Sequence, residues 1–172
     1  MWKLRSSLVI VMSLSGVCAS ITYADEDESK DLGAVAKMMA TTKVTLQQGL
    51  SAAEPKGRPI SGKFEVDEGH FQLSVYTSQG GKYSENLVDY NTGTLTKSEA
   101  ITSGDDLKEA KEQSEAMGKA QKSLKAAVDQ AEGKLAGYRA VSVEPELKNG
   151  HSVAEVTLLK GTQSKKTYEP LE

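Results

Sequence analysis

The first apolar residues of the chain recur at helical spacing. Between residues 32 and 39 they fall three or four positions apart, which predicts a short helix that ends at Thr41-Thr42. Thr45-Leu46-Gln47-Gln48 then has the form of a capping box, in which the threonine hydroxyl and the glutamine side chain each bond the other's backbone N–H. A second helix is therefore expected to begin there and to end at Pro55-Lys56-Gly57.

From Ile60 onward apolar and polar residues alternate, which is the period of a β-strand. The alternation runs through Phe64 and Val66 and resumes as Phe71, Leu73 and Val75 beyond a turn at residues 67–69. This pattern predicts a hairpin with one buried face. We expect Leu73 to lie at its centre, beneath the second helix.

Two further turns extend the predicted hairpin into an antiparallel meander. Gly80-Gly81 and Asn91-Thr92-Gly93 bound a third strand over residues 82–90. Residues 103–134 then form a strongly helical stretch, in which Gly118 is a candidate break. Its small and polar seam positions favour an amphipathic helix packed on the sheet over a long coiled coil.

The end of the chain repeats this order of elements. Residues 123–132 resemble residues 45–54, and Asn149-Gly150 is a strong hairpin signal after an alternating segment. The apolar residues Ala154, Val156 and Leu158 correspond to Phe71, Leu73 and Val75. We interpret the chain as two diverged copies of one unit, which predicts the segments 25–43 (an acidic N-terminal segment and short helix), 44–100 (first unit), 101–122 (helical connector) and 123–172 (second unit).

The N-terminus has the order of a secretory signal peptide. Lys3 and Arg5 precede an apolar stretch of about ten residues, half of what a membrane-spanning helix needs, and small residues follow up to Ala24. Residues 1–24 are thus predicted to be a cleavable signal peptide, with a cut after Ser20 as an alternative. The mature protein is expected to be periplasmic or secreted. A lipoprotein anchored at Cys18 is the less favoured interpretation, because Ser15-Gly16-Val17 precede it.

Composition narrows the possible partners. The formal net charge of the chain is −3, and it becomes about −5 once Lys3 and Arg5 are removed. Nucleic acid and anionic membrane are therefore unfavourable partners. Cleavage would also remove the single cysteine, leaving neither a disulfide nor a thiolate metal ligand.

Two residue sets could suggest a metal site. Asp89, Asn91 and Gly93 are spaced as in a calcium loop, but the further ligands and the terminal Glu are missing, so a turn is favoured. His70 and His151 each follow a hairpin glycine and are expected to be separate, exposed strand-start residues rather than a joint metal or pH-sensing site. No metal ligand and no cofactor is predicted.

No catalytic residue is predicted either. The serines lack G-x-S-x-G and S-x-x-K contexts, and Gly80-Gly81 lacks the Lys and Ser/Thr of a phosphate-binding loop. A short sheet can instead bind a partner by accepting a strand at an open edge. The sequence does not indicate which strand is outermost.

Several of these segments resemble the PepSY domain family. The resemblance rests on Val44-Thr45-Leu46-Gln47-Gln48, Ala52-Ala53-Glu54, Phe71-Gln72-Leu73-Ser74-Val75 and the V-D-x-x-T-G-like ending Val88-Asp89-Tyr90-Asn91-Thr92-Gly93. The second copy ends in Tyr168-Glu169-Pro170-Leu171 and lacks that ending. The resemblance implies an α+β fold of two repeats, each a helix packed on a small antiparallel sheet, in an exported protein without catalytic residues.

Export, the family resemblance and the missing catalytic groups together predict a non-enzymatic interaction module of the cell envelope. The resemblance implies either a module that restrains a peptidase or a more general interaction module, so the expected partner is another exported protein, with a peptidase as one candidate. The alternative is a periplasmic protein that binds a small molecule or metal ion in a cleft between the repeats. A hydrolase is the least favoured class, because the residue sets it needs are missing.

Overall fold

The computed structural model describes the backbone of residues 24–172 and the side chains from Leu32 onward. The predicted signal peptide, with Cys18, lies outside the described residues except for Ala24. The helices are α1 (Ala24–Met39), α2 (Leu46–Ala53), α3 (Gly104–Lys119) and α4 (Leu124–Lys134), with a 3-10 turn at Glu54–Lys56. The strands are β1 (Arg58–Asp67), β2 (His70–Gln79), β3 (Lys82–Val88), β4 (Leu95–Ile101), β5 (Arg139–Lys148), β6 (His151–Lys160) and β7 (Gln163–Pro170). In this part of the chain no helix is both long and apolar enough to cross a membrane.

Local signals set most of the element boundaries. The predicted capping box is present: the Thr45 side chain accepts from the Gln48 backbone N–H, and the Gln48 side chain accepts from the Thr45 backbone N–H. Asn149 and Gly150 both have positive φ, as a two-residue hairpin turn of the favoured type requires. The predicted helix start and hairpin are therefore confirmed.

The seven strands form one antiparallel sheet in the order β4-β3-β2-β1-β5-β6-β7. The prediction of two repeats, each a helix on its own small sheet, is therefore wrong. The two halves join because β1 and β5 pair at Gly62 with Val143 and at Lys63 with Ser142. Each of these strands would otherwise be an edge with unpaired backbone groups, so the pairing satisfies groups that two separate sheets would leave open.

Helices cover both faces of this sheet. A Cβ on Gly62 would lie 3.1 Å from the Leu50 side chain of α2, whereas the neighbouring Ser61 hydroxyl donates to Gln113 of α3 at 2.7 Å. Because neighbouring residues of a strand point to opposite faces, α2 and α3 lie on opposite sides of the sheet. Gln47 of α2 reaches the carboxylates of α4 at 3.0 and 2.9 Å, so α2 and α4 share one face. We call this the front face and the α3 side the back face.

The main apolar core lies on the front face. Leu73 is completely buried beneath α2, as predicted, and a Cβ on Gly49 would overlap its Cδ2 atom. Leu50 and Val128, from α2 and α4, are also fully buried. Arg139 of β5 connects the end of α1 and the segment that follows it to this core. Its guanidinium donates to the backbone oxygens of Met39, Thr42 and Val44.

Two details differ from the predicted elements. The helical stretch is interrupted after Lys119 rather than at Gly118, and the chain crosses from the back face to the front face before α4 begins at Leu124. β4 was not predicted, because Leu95-Thr96-Lys97-Ser98-Glu99-Ala100-Ile101 shows no apolar alternation. That strand forms an edge of the sheet.

Candidate interaction site at the open edge of the sheet

β4 is the outermost strand of the first half and pairs on one side with β3. Its five central residues, 96–100, are exposed, and only Leu95 and Ile101 at its ends are partly buried. Lys97 and Glu99 form an ion pair with each other at 2.9 Å, so their charges are mutually compensated. An edge strand with unpaired N–H and C=O groups and no net charge is a template for a further strand.

β7, at the opposite edge, is better protected against pairing. It carries Lys165, whose Nζ lies 5.4 Å from the centre of the Tyr138 ring, and Lys166, which pairs with Glu155 at 3.2 Å. It ends at Pro170, which has no backbone N–H to donate. Lysine and proline on an edge strand both oppose strand addition, and β4 carries one lysine and no proline, so β4 is the less protected edge.

Polar contacts with β3 hold β4 in register. The amide of Asn86 on β3 is fully buried and donates to the Val75 oxygen of β2, while its Oδ1 accepts from the Ser98 hydroxyl of β4 at 2.8 Å. The Thr96 hydroxyl also donates to the Leu87 oxygen at 3.1 Å. β4 is thus fixed along its inner side while its outer side is open.

The loop that leads into β4 is a turn built around Asp89. Its Oδ1 accepts from the backbone N–H groups of Asn91 and Thr92 and from the Thr92 hydroxyl, at 2.7 to 3.0 Å. Hydrogen bonds from Thr92 and Asn91 hold the pKa of Asp89 below its ordinary value. Gly93 has a φ of 74°. The predicted turn is confirmed, since Asp89 Oδ1 accepts hydrogen bonds from backbone N–H groups of the turn itself.

The two histidines lie at opposite ends of the sheet. His70 begins β2 and His151 begins β6, and their hairpins are at opposite ends because β1 and β5 run antiparallel. Both residues are exposed, as predicted. They cannot bind one ion together, and the described residues contain no group of three or more potential ligands placed to hold a metal.

The back face carries a polar network that sequence reasoning did not predict. Lys63 pairs with Glu65 at 2.9 Å, and the Tyr76 hydroxyl donates to Glu85 at 3.2 Å. Burial opposes the charge of Lys63, but the attraction of Glu65 leaves its pKa raised. Burial raises the pKa of both Tyr76 and Glu85. The alternating polar residues of β1 and β2 indicated a solvated face, whereas α3 covers part of it.

Glu109 of α3 lies at the centre of this network. It lines a cavity of about 10 Å³ together with Lys63, Tyr76 and Glu144, a volume at the lower limit for one water molecule. Burial, and then repulsion from Glu144, raise the pKa of Glu109 to about 7. So small a cavity has no room for a substrate, and the network is a polar contact between α3 and the sheet.

Comparisons with known proteins add little to this geometry. A crystal structure of a "putative lipoprotein" from Clostridium difficile 630 aligns with 76% of this chain and 88% of its own, at 10% identity and a TM-score of 0.43. No model of a known protein family matches the chain, and no curated protein matches its sequence.

Proposed function

We propose that the chain is an exported, non-enzymatic interaction module that binds an extended segment of another exported protein as an eighth strand along β4. The observation that carries this proposal is the contrast between the two edges. β4 is exposed along residues 96–100 and its two charges compensate each other, whereas β7 carries two neighbouring lysines and ends in a proline. Export rests on the signal-peptide pattern of residues 1–24.

Strand addition supplies affinity through the main chain and specificity through side chains. Roughly half of the N–H and C=O groups of β4 point away from β3, and each added bond contributes about 0.5–1.5 kcal/mol net. The ordering of the partner segment offsets much of this gain, so we expect a reversible interaction in the micromolar range. Lys97 and Glu99 share one face of β4, where they favour a partner segment with an acid and a base in matching positions.

The PepSY resemblance makes an exported peptidase the first partner to test. Such a peptidase would be restrained if its own segment were held in the extended form along β4. This step remains an analogy with a family. The alternative class, a binder of small ligands, is supported by a cavity lined by elements other than β4.

The first experiment is site-specific photo-crosslinking in the native envelope. A photoreactive residue at Glu99 on β4 should capture an exported protein, and the same residue at Lys165 on β7 should not. Addition of the captured protein to the purified mature chain should then slow hydrogen exchange of the β4 amides. Equal capture at both edges, or unchanged exchange along β4, would contradict the proposal.

Proline variants test whether the main chain makes the contact. Along β4 the backbone N–H groups of successive residues point alternately toward β3 and away from it. One of Lys97→Pro and Ser98→Pro therefore removes an N–H that points outward and leaves the bonds to β3 intact. That variant should lose partner binding; Lys97→Pro should then keep the unfolding midpoint of the parent, and Ser98→Pro that of Ser98→Ala, which lacks the same hydroxyl bond to Asn86. Ser98→Ala controls for the side chain and Ser164→Pro on β7 controls for the edge. If neither β4 proline weakens binding, the partner does not add a strand there.

A further inference from the structure

A second cavity lies where the two halves meet at one end of the sheet. It is a cleft open to solvent with a volume of about 230 Å³, lined by the end of α2, the start of β1 and the segment that joins α3 to α4. Leu50, Met117 and Leu124 form its apolar wall, and each is at most 2% exposed. An engineered cavity of about 150 Å³ accepts benzene, so this one has room for a compact apolar group.

The rim of this cavity is basic although the chain as a whole is acidic. Arg58, Lys122 and Lys125 line it, and Glu54 is its single acidic residue. Arg58 is exposed and donates to the Ala120 oxygen over a long 3.4 Å. Its planar guanidinium therefore keeps donors available for a carboxylate, which it can bind through two parallel bonds.

Lys122 and Lys125 contribute differently to this rim. Lys122 Nζ donates to the backbone oxygens of Pro170 and Glu172, so it mainly holds the end of the chain in place. Lys125 stands in the first turn of α4 and is half-buried at the rim. The pair available to an anion is therefore Arg58 and Lys125.

We propose that this cavity binds a small carboxylate that carries a compact apolar group, with the carboxylate at Arg58 and Lys125 and the apolar group against Met117. The apolar wall fits the body of the ligand, and the excess of basic residues complements its charge. A cationic or zwitterionic amine fits poorly, since only Glu54 could receive it. This site does not depend on strand addition at β4, which lies at an edge of the sheet formed by other elements.

The experiment uses 4-phenylbutyrate as the probe and the mature chain as the protein. Two neutral or cationic analogues of the same shape, 4-phenylbutyramide and 4-phenylbutylamine, separate the charge from the apolar group. We expect saturable binding of the carboxylate alone, seen as a concentration-dependent rise in the melting temperature. In spectra of a chain with labelled methionine methyl groups, the Met117 resonance should shift, while that of Met39 in α1 stays unchanged.

Variants at the rim identify the carboxylate partners. Arg58→Gln and Lys125→Gln should each raise the Kd about tenfold, the size of one charge-assisted hydrogen bond, and Arg58→Lys should recover part of the loss. Lys97→Gln on β4 is the matched control and should leave the Kd unchanged. Arg58 is exposed and Lys125 is half-buried, and an unchanged melting temperature without ligand will show that the variants fold. Equal binding of the amide, an unshifted Met117 methyl or unchanged affinity in both rim variants would overturn the proposal.

Discussion

Substituting Gly49 by Ala tests how closely α2 packs on the sheet. Gly49 lies on the buried face of α2, where a Cβ would overlap Leu73 Cδ2 and lie 3.0 Å from Leu73 Cγ. Leu73 is completely buried, so its side chain has little room to move. In an exposed helix Gly→Ala stabilises by about 1 kcal/mol, whereas overpacking a core costs about 1–3 kcal/mol. We expect the overlap to prevail and Gly49→Ala to destabilise by up to about 2 kcal/mol.

A double-mutant cycle isolates the contact. Leu73→Ala alone should cost about 2–5 kcal/mol, because it leaves a cavity beneath α2. In the double variant the methyl group introduced by Gly49→Ala no longer meets a leucine side chain, and it fills part of that cavity. The combined cost should therefore be smaller than the sum of the two single costs by about 0.5–3 kcal/mol.

Urea unfolding of the four proteins gives the required free energies, provided that the denaturant slope stays constant. Gly118→Ala is the matched control, since Gly118 is an exposed glycine near the end of α3 with nothing within 4 Å of its added Cβ. It should stabilise by up to about 1 kcal/mol. If Gly49→Ala stabilised as much as Gly118→Ala, or if the two single costs were additive, α2 would not be pressed against β2 at this point.

Two further substitutions test the turn before β4 and the contact beneath α3. Gly93→Val should destabilise the fold by about 1–3 kcal/mol, because a φ of 74° strains a β-branched residue. Gly93→Asn should cost less. Equal urea midpoints for Gly93→Val and the parent would contradict the turn geometry. Folding raises the pKa of the Glu109 carboxyl from 4.5 to about 7, so the folded chain binds the carboxyl proton more tightly than the unfolded chain does. The free energy of unfolding should therefore fall as the pH rises from 4.5 to 7. Glu109→Gln should flatten that fall in urea midpoints measured across the range, and an unchanged pH profile would show that Glu109 is not buried against Glu144 and Lys63.

The sequence predicted best the features that depend on a few neighbouring residues. The capping box at Thr45 and the turns at Asn149-Gly150 and Asp89 follow from local hydrogen bonds and φ preferences, and all three are present. The burial of Leu73 followed from strand alternation, because a period of two fixes which residues share a face. Each of these signals is contained in fewer than about ten residues.

The features that the sequence could not predict depend on pairing between distant segments. β1 and β5 join through Gly62 and Val143, which are compatible with many neighbours, and nothing in either segment indicates the other. The burial of Lys63 and Tyr76 likewise depends on α3, which reaches the back face from far along the chain. The cavity beside Arg58 is formed by three such segments, so no local pattern could have indicated it.

The pairing of β1 with β5 also decides where a partner can bind. In each half of the chain the first strand becomes central, so the last strand becomes an edge of the common sheet. The two edges are not equivalent. β7 continues into Leu171, which is fully buried and whose backbone N–H donates to Ser152. β4 leads into α3 and is exposed along its outer side. A strand added along β7 would lack a main-chain donor at Pro170, whereas no proline interrupts residues 96–100 of β4. This difference in cost is the physical reason to search for the partner along residues 96–100.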